Sequence, residues 1–375
     1  MKIIHIVENL DKGAVENWLV RTFILCTELR KDWSWTFYCI LGVPGKLDDE
    51  VRKRGGYIVY APVTISRKWS FLKHLRHTLK EGKFDLIHSH HDFLSGFYLL
   101  ASHGIKFKKR ILHIHNNDRA LPVGSPIMNQ LIRPPLKWLA YCYNDLIVGI
   151  SRYTLEDFTS GINLGLKPAT KVLYYGVDLT PYTSKKTSIR EQLKLSPDTK
   201  LMLFVGRMNP YKNPLFAIDV FSELRKIKKN IHFLLIGKGE LETEIEQRID
   251  SLGIRDHISL LGWRDDIAGI MLDSDVFIFP RVEEPKEGLG LVVIEAQAAR
   301  LQLFITNGIV KDAIVVEPLT TYLSLHNGSK QWAECIAAKL DSPAPVSRQE
   351  ALHTVMASPF ELHRATDHFI SLYEA

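Results

Sequence analysis

Carboxylates and glycines are concentrated in one stretch, Glu287-Gly288-Leu289-Gly290, and Glu295 follows two helical turns later. The apolar run before this stretch predicts a buried strand, and the residues from Leu291 predict a helix. A strand, a glycine turn and a helix N-terminus in this order form an anion site, because free N–H groups and the positive dipole end point at one spot. Carboxylates accept hydrogen bonds from hydroxyls. A phosphate flanked by two polyhydroxylated rings, as in a nucleotide-diphosphate sugar, fits; a surface loop with solvated acids is the alternative.

Basic residues that suit a phosphate follow another predicted strand. Gly206-Arg207 comes directly after Lys200–Val205, and Lys212 lies in the loop before Pro214. Arginine offers phosphate oxygens a planar fork and lysine a point charge. Ordinary surface charge is the alternative for each residue alone. Two glycines, Gly237 and Gly239, follow another predicted strand, where they permit either close approach of a ligand or a tight turn.

The elements that position these residues alternate between short apolar runs and helical stretches, which predicts parallel sheets covered by helices. Small-molecule sites in such sheets lie beyond the carboxyl ends of the strands. The predicted strands are Lys2–Val7, Trp35–Leu41, Tyr57–Tyr60, Phe84–His88, Arg110–His115, Asp145–Ile150, Lys171–Tyr174, Lys200–Val205, Ile231–Ile236, His257–Leu261, Asp275–Phe279, Leu303–Thr306 and Ala313–Val316. The predicted helices include Val15–Leu29, Phe71–Lys80, Leu291–Arg300, Trp332–Lys339 and Pro359–Tyr373.

Histidines cluster at two predicted strand ends, His88-Ser89-His90-His91 and His113-Ile114-His115. They lack the acid or cysteine spacing that zinc sites favour, so we predict no metal. Two interpretations stay open, namely hydrogen-bonded polar groups near a sheet edge and, for His115, a contact to a ligand.

The length and charge of the chain limit its class. A chain of 375 residues predicts two domains, and 46% hydrophobic with 24% charged residues is typical of a soluble globular protein. Residues 1–178 carry a net charge of +9 and the remainder −3, from 25 basic against 16 acidic and 23 against 26 residues. The basic half favours an anionic membrane surface as a partner, or is a solvated face. No nucleic-acid motif is present.

Localisation follows from the same features. No apolar run is long enough to span a bilayer, and the N-terminus reads as a buried strand and not as a signal peptide. The four cysteines are scattered without metal spacing, as in reduced proteins. We therefore expect a cytoplasmic protein, with peripheral association at the inner membrane face as an addition.

The stretch Glu287-Gly288-Leu289-Gly290 through Glu295-Ala296-Gln297-Ala298-Ala299 resembles the glutamate–seven residues–glutamate signature of retaining glycosyltransferases of family four. The similarity spans nearly the full length. It implies the α/β GT-B fold, in which two Rossmann-like parallel-sheet domains face a central cleft. We expect an acceptor domain at 1–180, a nucleotide-sugar donor domain at 181–358 with the linker within 180–199, and a C-terminal helix at 359–375 that crosses back to the first domain.

The resemblance also implies roles for single residues. It assigns catalysis to His115, which faces the transferred sugar, to Arg207 and Lys212 at the diphosphate, and to Glu287 at the sugar hydroxyls. The implied donor-binding residues are Gly13, Gly206, Gly237, Gly262, Trp263, Gly288, Leu289, Gly290 and Glu295, of which Glu295 holds the ribose. The family usually has glycine where this chain has Arg300, and a glutamate in the loop where Lys311 lies.

The resulting expectation is transfer of a sugar from a nucleotide-diphosphate sugar to a hydroxyl acceptor, with retention, in polysaccharide or lipid-linked saccharide biosynthesis. No metal is required, because cations and a helix terminus face the diphosphate and no Asp-x-Asp motif is present. The partners are then the nucleotide sugar and a saccharide or lipid-linked acceptor. A sugar-nucleotide epimerase of the same fold and a catalytically inactive nucleotide-sugar-binding protein are the alternatives.

Overall fold

Two parallel β-sheets organise the chain, one in each of two units of the computed structural model. The first unit comprises residues 1–176 and 362–375, and the second comprises 177–361. These limits lie a few residues from the domain limits expected from the sequence. The structure describes residues 1–11, 13–116, 126–160, 168–184 and 188–375, with backbone alone for 126–130. Part of the expected linker, 185–187, lies outside the described residues.

The first unit has seven parallel strands in the order β3-β2-β1-β4-β5-β6-β7. Its strands are β1 Lys2–Val7, β2 Ser34–Cys39, β3 Tyr57–Tyr60, β4 Leu86–Ser89, β5 Lys109–Ile114, β6 Leu146–Gly149 and β7 Ala169–Val172. Its helices are α1 Ala14–Leu29, α2 Asp48–Lys53, α3 Lys68–Gly82, α4 Ser95–Leu99, α5 Pro126–Cys142, α6 Arg152–Thr159 and, from the end of the chain, α14 Leu362–Glu374, with 3₁₀ turns at Asp92–Leu94 and Leu100–Ser102.

The second unit has six parallel strands in the order β10-β9-β8-β11-β12-β13. Its strands are β8 Lys200–Val205, β9 Ile231–Ile236, β10 Ile258–Gly262, β11 Val276–Phe279, β12 Gln302–Ile305 and β13 Thr320–Tyr322. Its helices are α7 Ile189–Gln192, α8 Pro214–Ile227, α9 Glu242–Ser251, α10 Ile267–Asp273, α11 Leu291–Ala298, α12 Gly328–Leu340 and α13 Arg348–Met356, with 3₁₀ turns at Thr180–Tyr182, Arg255–His257, Lys311–Ala313, Glu317–Leu319 and Leu325–Asn327. The predicted α/β class with two Rossmann-like sheets is confirmed.

The inner strands of both sheets are buried on two faces, which explains why they are nearly continuous apolar runs. Every residue of β9 is buried, and in β8 only the first residue is exposed. Such a run leaves no polar face, so it is stable only between layers of helices. In the described part of the chain, no helix combines the length and the apolar character needed to cross a bilayer.

The predicted strand at Ala313–Val316 is wrong, and the last strand is β13. The side chain of Gln297, fully buried in α11, takes the place of a neighbouring strand. Its Oε1 accepts hydrogen bonds from the backbone N–H groups of Val315 and Val316, both at 2.7 Å, and its Nε2 donates to the carbonyl of Ala313 at 2.7 Å. Because a side chain satisfies these backbone groups, the segment needs no ladder.

Helix α11 ends two residues earlier than predicted, in a left-handed turn at Arg300, whose φ is 63°. The N–H of Arg300 donates to the carbonyl of Gln297 and that of Leu301 to the carbonyl of Ala296, both at 2.9 Å. This pair of bonds is the Schellman motif, which places the residue after the C-cap in the conformation that glycine adopts most easily. The geometry accounts for the glycine that the resembled family has at this position.

Candidate active site

Three predicted glycines end three adjoining strands of the second sheet. Gly206 follows β8, Gly237 follows β9, and Gly262 is the last residue of β10. Gly237 has a φ of 131°, and a Cβ on it would lie 1.9 Å from the carbonyl oxygen of Gly206. Its N–H donates to the carbonyl of Gly262 at 2.8 Å. Close approach of neighbouring strands therefore requires glycine at Gly237, in addition to any role toward a ligand.

Lys212 and Glu287, which are far apart in the sequence, form an ion pair beyond the carboxyl ends of the strands of the second sheet. The Lys212 Nζ donates to both carboxylate oxygens of Glu287 at 2.6 Å. Arg281, which directly follows Pro280 after β11, donates from its Nε to Oε2 of Glu287, also at 2.6 Å. The Lys212 Nζ lies 5.0 Å from the ring centroid of Phe279. We call Lys212, Arg281 and Glu287 the ionic cluster; it carries one net positive charge.

The ionic cluster is largely shielded from solvent. The side chains of Lys212, Glu287 and Arg281 are 19%, 20% and 6% exposed. Burial by itself would raise the pKa of Glu287, but the charges and hydrogen bonds of Lys212 and Arg281 hold that pKa below its usual value. Glu287 is therefore an anion at neutral pH, and Lys212 is held in one place before any ligand arrives.

Local turns fix the cluster from two sides. The backbone N–H of Lys212 donates to Asn209 Oδ1 at 3.0 Å, and Asn213 adopts a left-handed φ of 56° that lets Pro214 begin α8. On the other side, the N–H of Glu287 donates to the carbonyl of Gly308 at 2.7 Å. Short-range hydrogen bonds thus hold the two loops, so the cluster is preorganised.

The glycine turn and helix α11 follow the cluster as predicted. Gly290 is the N-cap of α11 with a φ of 86°, which favours glycine. Leu289 is buried, so its side chain belongs to the core, and Gly288 is half-buried. The Tyr182 hydroxyl donates to Met271 Sδ at 3.6 Å; burial first, then the nearby carboxylate of Glu295, raises the pKa of Tyr182 well above its usual value. Tyr182, which the sequence did not indicate, therefore lies close to Glu295.

Two predicted residues lie apart from the ionic cluster. Arg207 is exposed and forms no ion pair with any residue that the structure describes. Trp263 is 67% exposed. No described contact joins either side chain to Glu287, so the assignment of Arg207 to the diphosphate and of Trp263 to donor binding stays a prediction.

In the first unit, a cavity of about 130 Å³ lies at the carboxyl ends of β1, β4 and β5. Its lining is Val7, Glu8, Val15, Glu16, His90, His91, Asp92, His115 and Asn116. Gly13 is the N-cap of α1, and a Cβ on it would lie 2.1 Å from Oε2 of Glu16. The carboxylate of Glu16 therefore lies directly against Gly13, and burial raises the pKa of Glu16. A carboxylate of the chain covers the helix terminus at which the resemblance implies a diphosphate contact.

His115 belongs to a buried chain of hydrogen-bonded rings. Its Nδ1 pairs with the Tyr175 hydroxyl, and its Nε2 lies 3.0 Å from Nδ1 of His90. His90 Nε2 in turn lies 2.9 Å from Nδ1 of His5, and His5 Nε2 lies 3.4 Å from the hydroxyl of Tyr373 in α14. Both ring nitrogens of His115 are therefore engaged within the protein. Contact with a sugar needs one of these bonds to open, or uses the backbone.

Three of these histidines, His5, His90 and His115, are neutral because burial lowers the pKa of each well below its usual value, and that of His90 to about 3. Two groups, His5-His88-His90 and His90-His113-His115, bring three ring nitrogens within 4.8 Å of one another. In the first group His5 and His90 are bonded to each other, and in the second His90 and His115 are. This agrees with the interpretation as hydrogen-bonded polar groups, and the expected lack of a metal stays a prediction.

Two family models match successive parts of the chain. The model described as Glycosyltransferase Family 4 matches residues 21–180, and the model described as Glycosyl transferases group 1 matches 185–351. The chain belongs to the family 4 glycosyltransferases. This confirms the resemblance seen in the Glu287–Glu295 stretch and the expectation of an enzyme of this class.

Relatives of this family 4 glycosyltransferase include two bacterial proteins named as glycosyltransferases. The EpsF protein of Bacillus subtilis (strain 168) is 25% identical over 350 residues, which cover 90% of this chain and 87% of EpsF. The capsular polysaccharide biosynthesis glycosyltransferase CapH of Staphylococcus aureus is 25% identical over 302 residues, or 79% and 78% of the two chains.

A solved structure supports the fold over the full length. HepE of Anabaena, in complex with UDP, is 18% identical with a TM-score of 0.79 and covers 100% of both chains. At this identity the likeness shows the GT-B fold of this family 4 glycosyltransferase and not its substrate.

Proposed function

We propose that this family 4 glycosyltransferase transfers a sugar, with retention, from a nucleoside-diphosphate sugar to a hydroxyl of a saccharide or lipid-linked acceptor. The observation that carries the proposal is the ionic cluster, which keeps Glu287 ionised and holds Lys212 in place at the carboxyl ends of the strands of the second sheet. HepE has been solved with UDP-glucose, and an Escherichia coli relative, 33% identical over 36% of each chain, is named a galactosyltransferase that uses UDP-Gal and a diphosphoundecaprenol-linked acceptor. Retention rests on the family resemblance.

In this proposal, the second unit stabilises the departing diphosphate. Lys212, Arg207 and the N–H groups at the start of α11 act on the charge that develops on the leaving group, where preorganised donors lower the barrier most. Glu287 has a second task besides binding sugar hydroxyls, because its contacts with Lys212 and Arg281 keep both cations in position. Glu295, which lies close to Tyr182, binds the ribose.

The test is a calorimetric screen of UDP-, GDP- and ADP-sugars, followed by transfer assays in which NMR reads the anomeric configuration of the product. Retained transfer to a saccharide or lipid-linked acceptor is expected. Inverted product contradicts retention, and free or epimerised sugar formed without acceptor favours the epimerase. Donor binding with no turnover over a broad acceptor panel favours an inactive binding protein.

The same screen, repeated with a chelator, tests the proposal that no metal is needed. We expect the dissociation constant of the donor to stay within about tenfold, roughly 1.4 kcal/mol, because protein cations carry out the neutralisation. A larger loss on chelation would show that a divalent cation completes the site.

We further propose that the first unit docks on an anionic membrane surface through helix α3. Lys68, Lys73 and Lys80 are exposed on this helix, and Trp69 beside them is 85% exposed. An exposed tryptophan among lysines suits the interface between headgroups and acyl chains. Each basic residue near an anionic surface contributes about 1 kcal/mol, reduced by salt.

A further inference from the structure

A second cavity of the enzyme lies at the amino ends of the strands of the second sheet, whereas the ionic cluster lies at the opposite ends. It has a volume of about 120 Å³, and its lining includes Lys200, Asp275, Arg300, Gln302, Leu340 and Arg348. Lys200 and Gln302 are the first residues of β8 and β12, and Asp275 immediately precedes β11. The cavity therefore opens at the amino ends of the strands, whereas the ionic cluster lies beyond their carboxyl ends.

The charge in this cavity is predominantly positive. Its one carboxylate, Asp275, already accepts from Arg190 Nη2 at 3.1 Å, from Lys200 Nζ at 3.2 Å and from the backbone N–H of Leu201 at 2.9 Å. Arg348 donates one N–H to the carbonyl of Leu272 at 2.8 Å. Neither Arg348 nor Arg300 has a carboxylate partner among the residues that the structure describes.

Asp341 follows the lining residue Leu340 in the chain. It is paired with Lys228, so its charge is already balanced. An anion that enters the cavity therefore meets cations whose nearby acids are compensated.

Arg300 is the residue that marks this cavity. It occupies the left-handed position of the Schellman motif at the end of α11, where glycine is unstrained and a side chain costs stability. Its Nε is buried and has no hydrogen-bond partner within the described part of the chain. A strained backbone together with an unsatisfied buried donor calls for a functional explanation.

We propose that this cavity binds a phosphate-sized oxyanion through Arg300, Lys200 and Arg348. A guanidinium presents donors in a planar fork that matches phosphate oxygens, and the anion supplies the acceptor that Arg300 Nε lacks. The ligand is either free inorganic phosphate or the phosphate group of a small phosphorylated metabolite. The site is separate from the donor site, so its occupation does not depend on the proposed transfer reaction.

The test compares wild type with Arg300→Gly, using melting temperature and calorimetry at constant ionic strength, with orthophosphate and glycerol 3-phosphate as probes. Arg300→Gly relieves the left-handed strain, so its melting temperature without phosphate is expected to rise by about 1–3 °C. Its affinity for the probe is expected to fall ten- to a hundredfold, since a charge-assisted hydrogen bond is lost. A merely structural arginine would instead lower the melting temperature on removal.

Lys194→Gly is the matched control, because Lys194 is exposed, has a left-handed φ of 53° and does not line the cavity. It is expected to gain stability like Arg300→Gly and to keep the wild-type phosphate response. Arg348→Gln, which alters an exposed side chain, is expected to weaken phosphate binding without the gain in stability. Tighter binding of either probe identifies the source of the phosphate and supports the site. Lack of a saturable wild-type response to both probes, or an unchanged response in Arg300→Gly, would overturn the proposal.

Discussion

Replacing Glu287 by glutamine removes the anion that two cations of the ionic cluster share. Lys212 and Arg281 both contact this carboxylate at 2.6 Å, and neither side chain is more than about a fifth exposed. Breaking a buried ion pair costs about 3–5 kcal/mol. We expect the lower limit, about 3 kcal/mol, because water still reaches Lys212. For a unit of this size the melting temperature would fall by about 6–12 °C.

The pH dependence of this loss identifies its cause. The folded-state pKa of Glu287 is lowered, so its contribution to stability is complete above its unfolded pKa of about 4.3 and disappears as pH falls through the folded value. The difference in unfolding free energy between wild type and Glu287→Gln should therefore be constant near neutral pH and shrink below about pH 4. Denaturant titrations at a series of pH values measure it.

Binding and turnover give the functional half of the same prediction. Since Glu287→Gln leaves Lys212 and Arg281 without a counter-charge, affinity for bare UDP should be unchanged or higher, while turnover falls at least about tenfold through lost sugar contacts. Glu334→Gln removes an equal charge from the exposed face of α12 and serves as the control. Wild-type stability at pH 7, or a tenfold loss of UDP affinity, would refute the assignment.

Three further predictions follow from other contacts. Glu295→Gln should weaken the binding of bare nucleoside diphosphate by about tenfold or more, and Tyr182→Phe should weaken it less. Calorimetric affinities equal to that of wild type would contradict the ribose role. Because the buried histidines have lowered pKa values, the unfolding free energy should fall as pH drops below about 6.5, and His113→Phe, which removes two buried nitrogens without described partners, should flatten that slope; an unchanged slope in urea titrations counts against it. Liposome sedimentation should show salt-sensitive binding to anionic vesicles that Trp69→Ala weakens, and equal binding to neutral vesicles would rule out the α3 surface.

The sequence was sufficient for the fold because the sheet strands are apolar and short. Three strands form as predicted, namely Lys2–Val7, Lys200–Val205 and Ile231–Ile236. Each is flanked by polar or turn residues, and none has a polar face that would make its hydrophobic periodicity ambiguous. The strand predicted at Ala313–Val316 failed because a distant amide, Gln297, supplies the partners that a strand would otherwise need. Nothing in the sequence of an apolar segment indicates that a distant side chain will hydrogen-bond to its backbone.

Some residues of the ionic cluster and the glycine turn could be named from the sequence where a motif contained them. Glu287, Gly290 and Lys212 were named from turn chemistry and residue type. The ion pair between Lys212 and Glu287 was not expected, because it joins two loops that follow different strands. Arg281 was missed although it carries a charge directly after a buried strand, which is the signal that could have found it. Tyr182 has no such signal, since only the tertiary structure brings it to Glu295.

The two units differ in when their sequences are completed during translation. The second is one uninterrupted stretch, whereas the first needs α14. In the core of the first unit, Phe369 of α14 stacks on Trp35 and His5, and Tyr373 contacts Trp35. At about 5–20 residues per second, the second unit is fully synthesised before the last helix of the first emerges. The nascent first sheet therefore waits, with an aromatic face uncovered, until α14 has been synthesised. A stalled chain that lacks α14 should expose that face to chaperones, even though its second unit is complete.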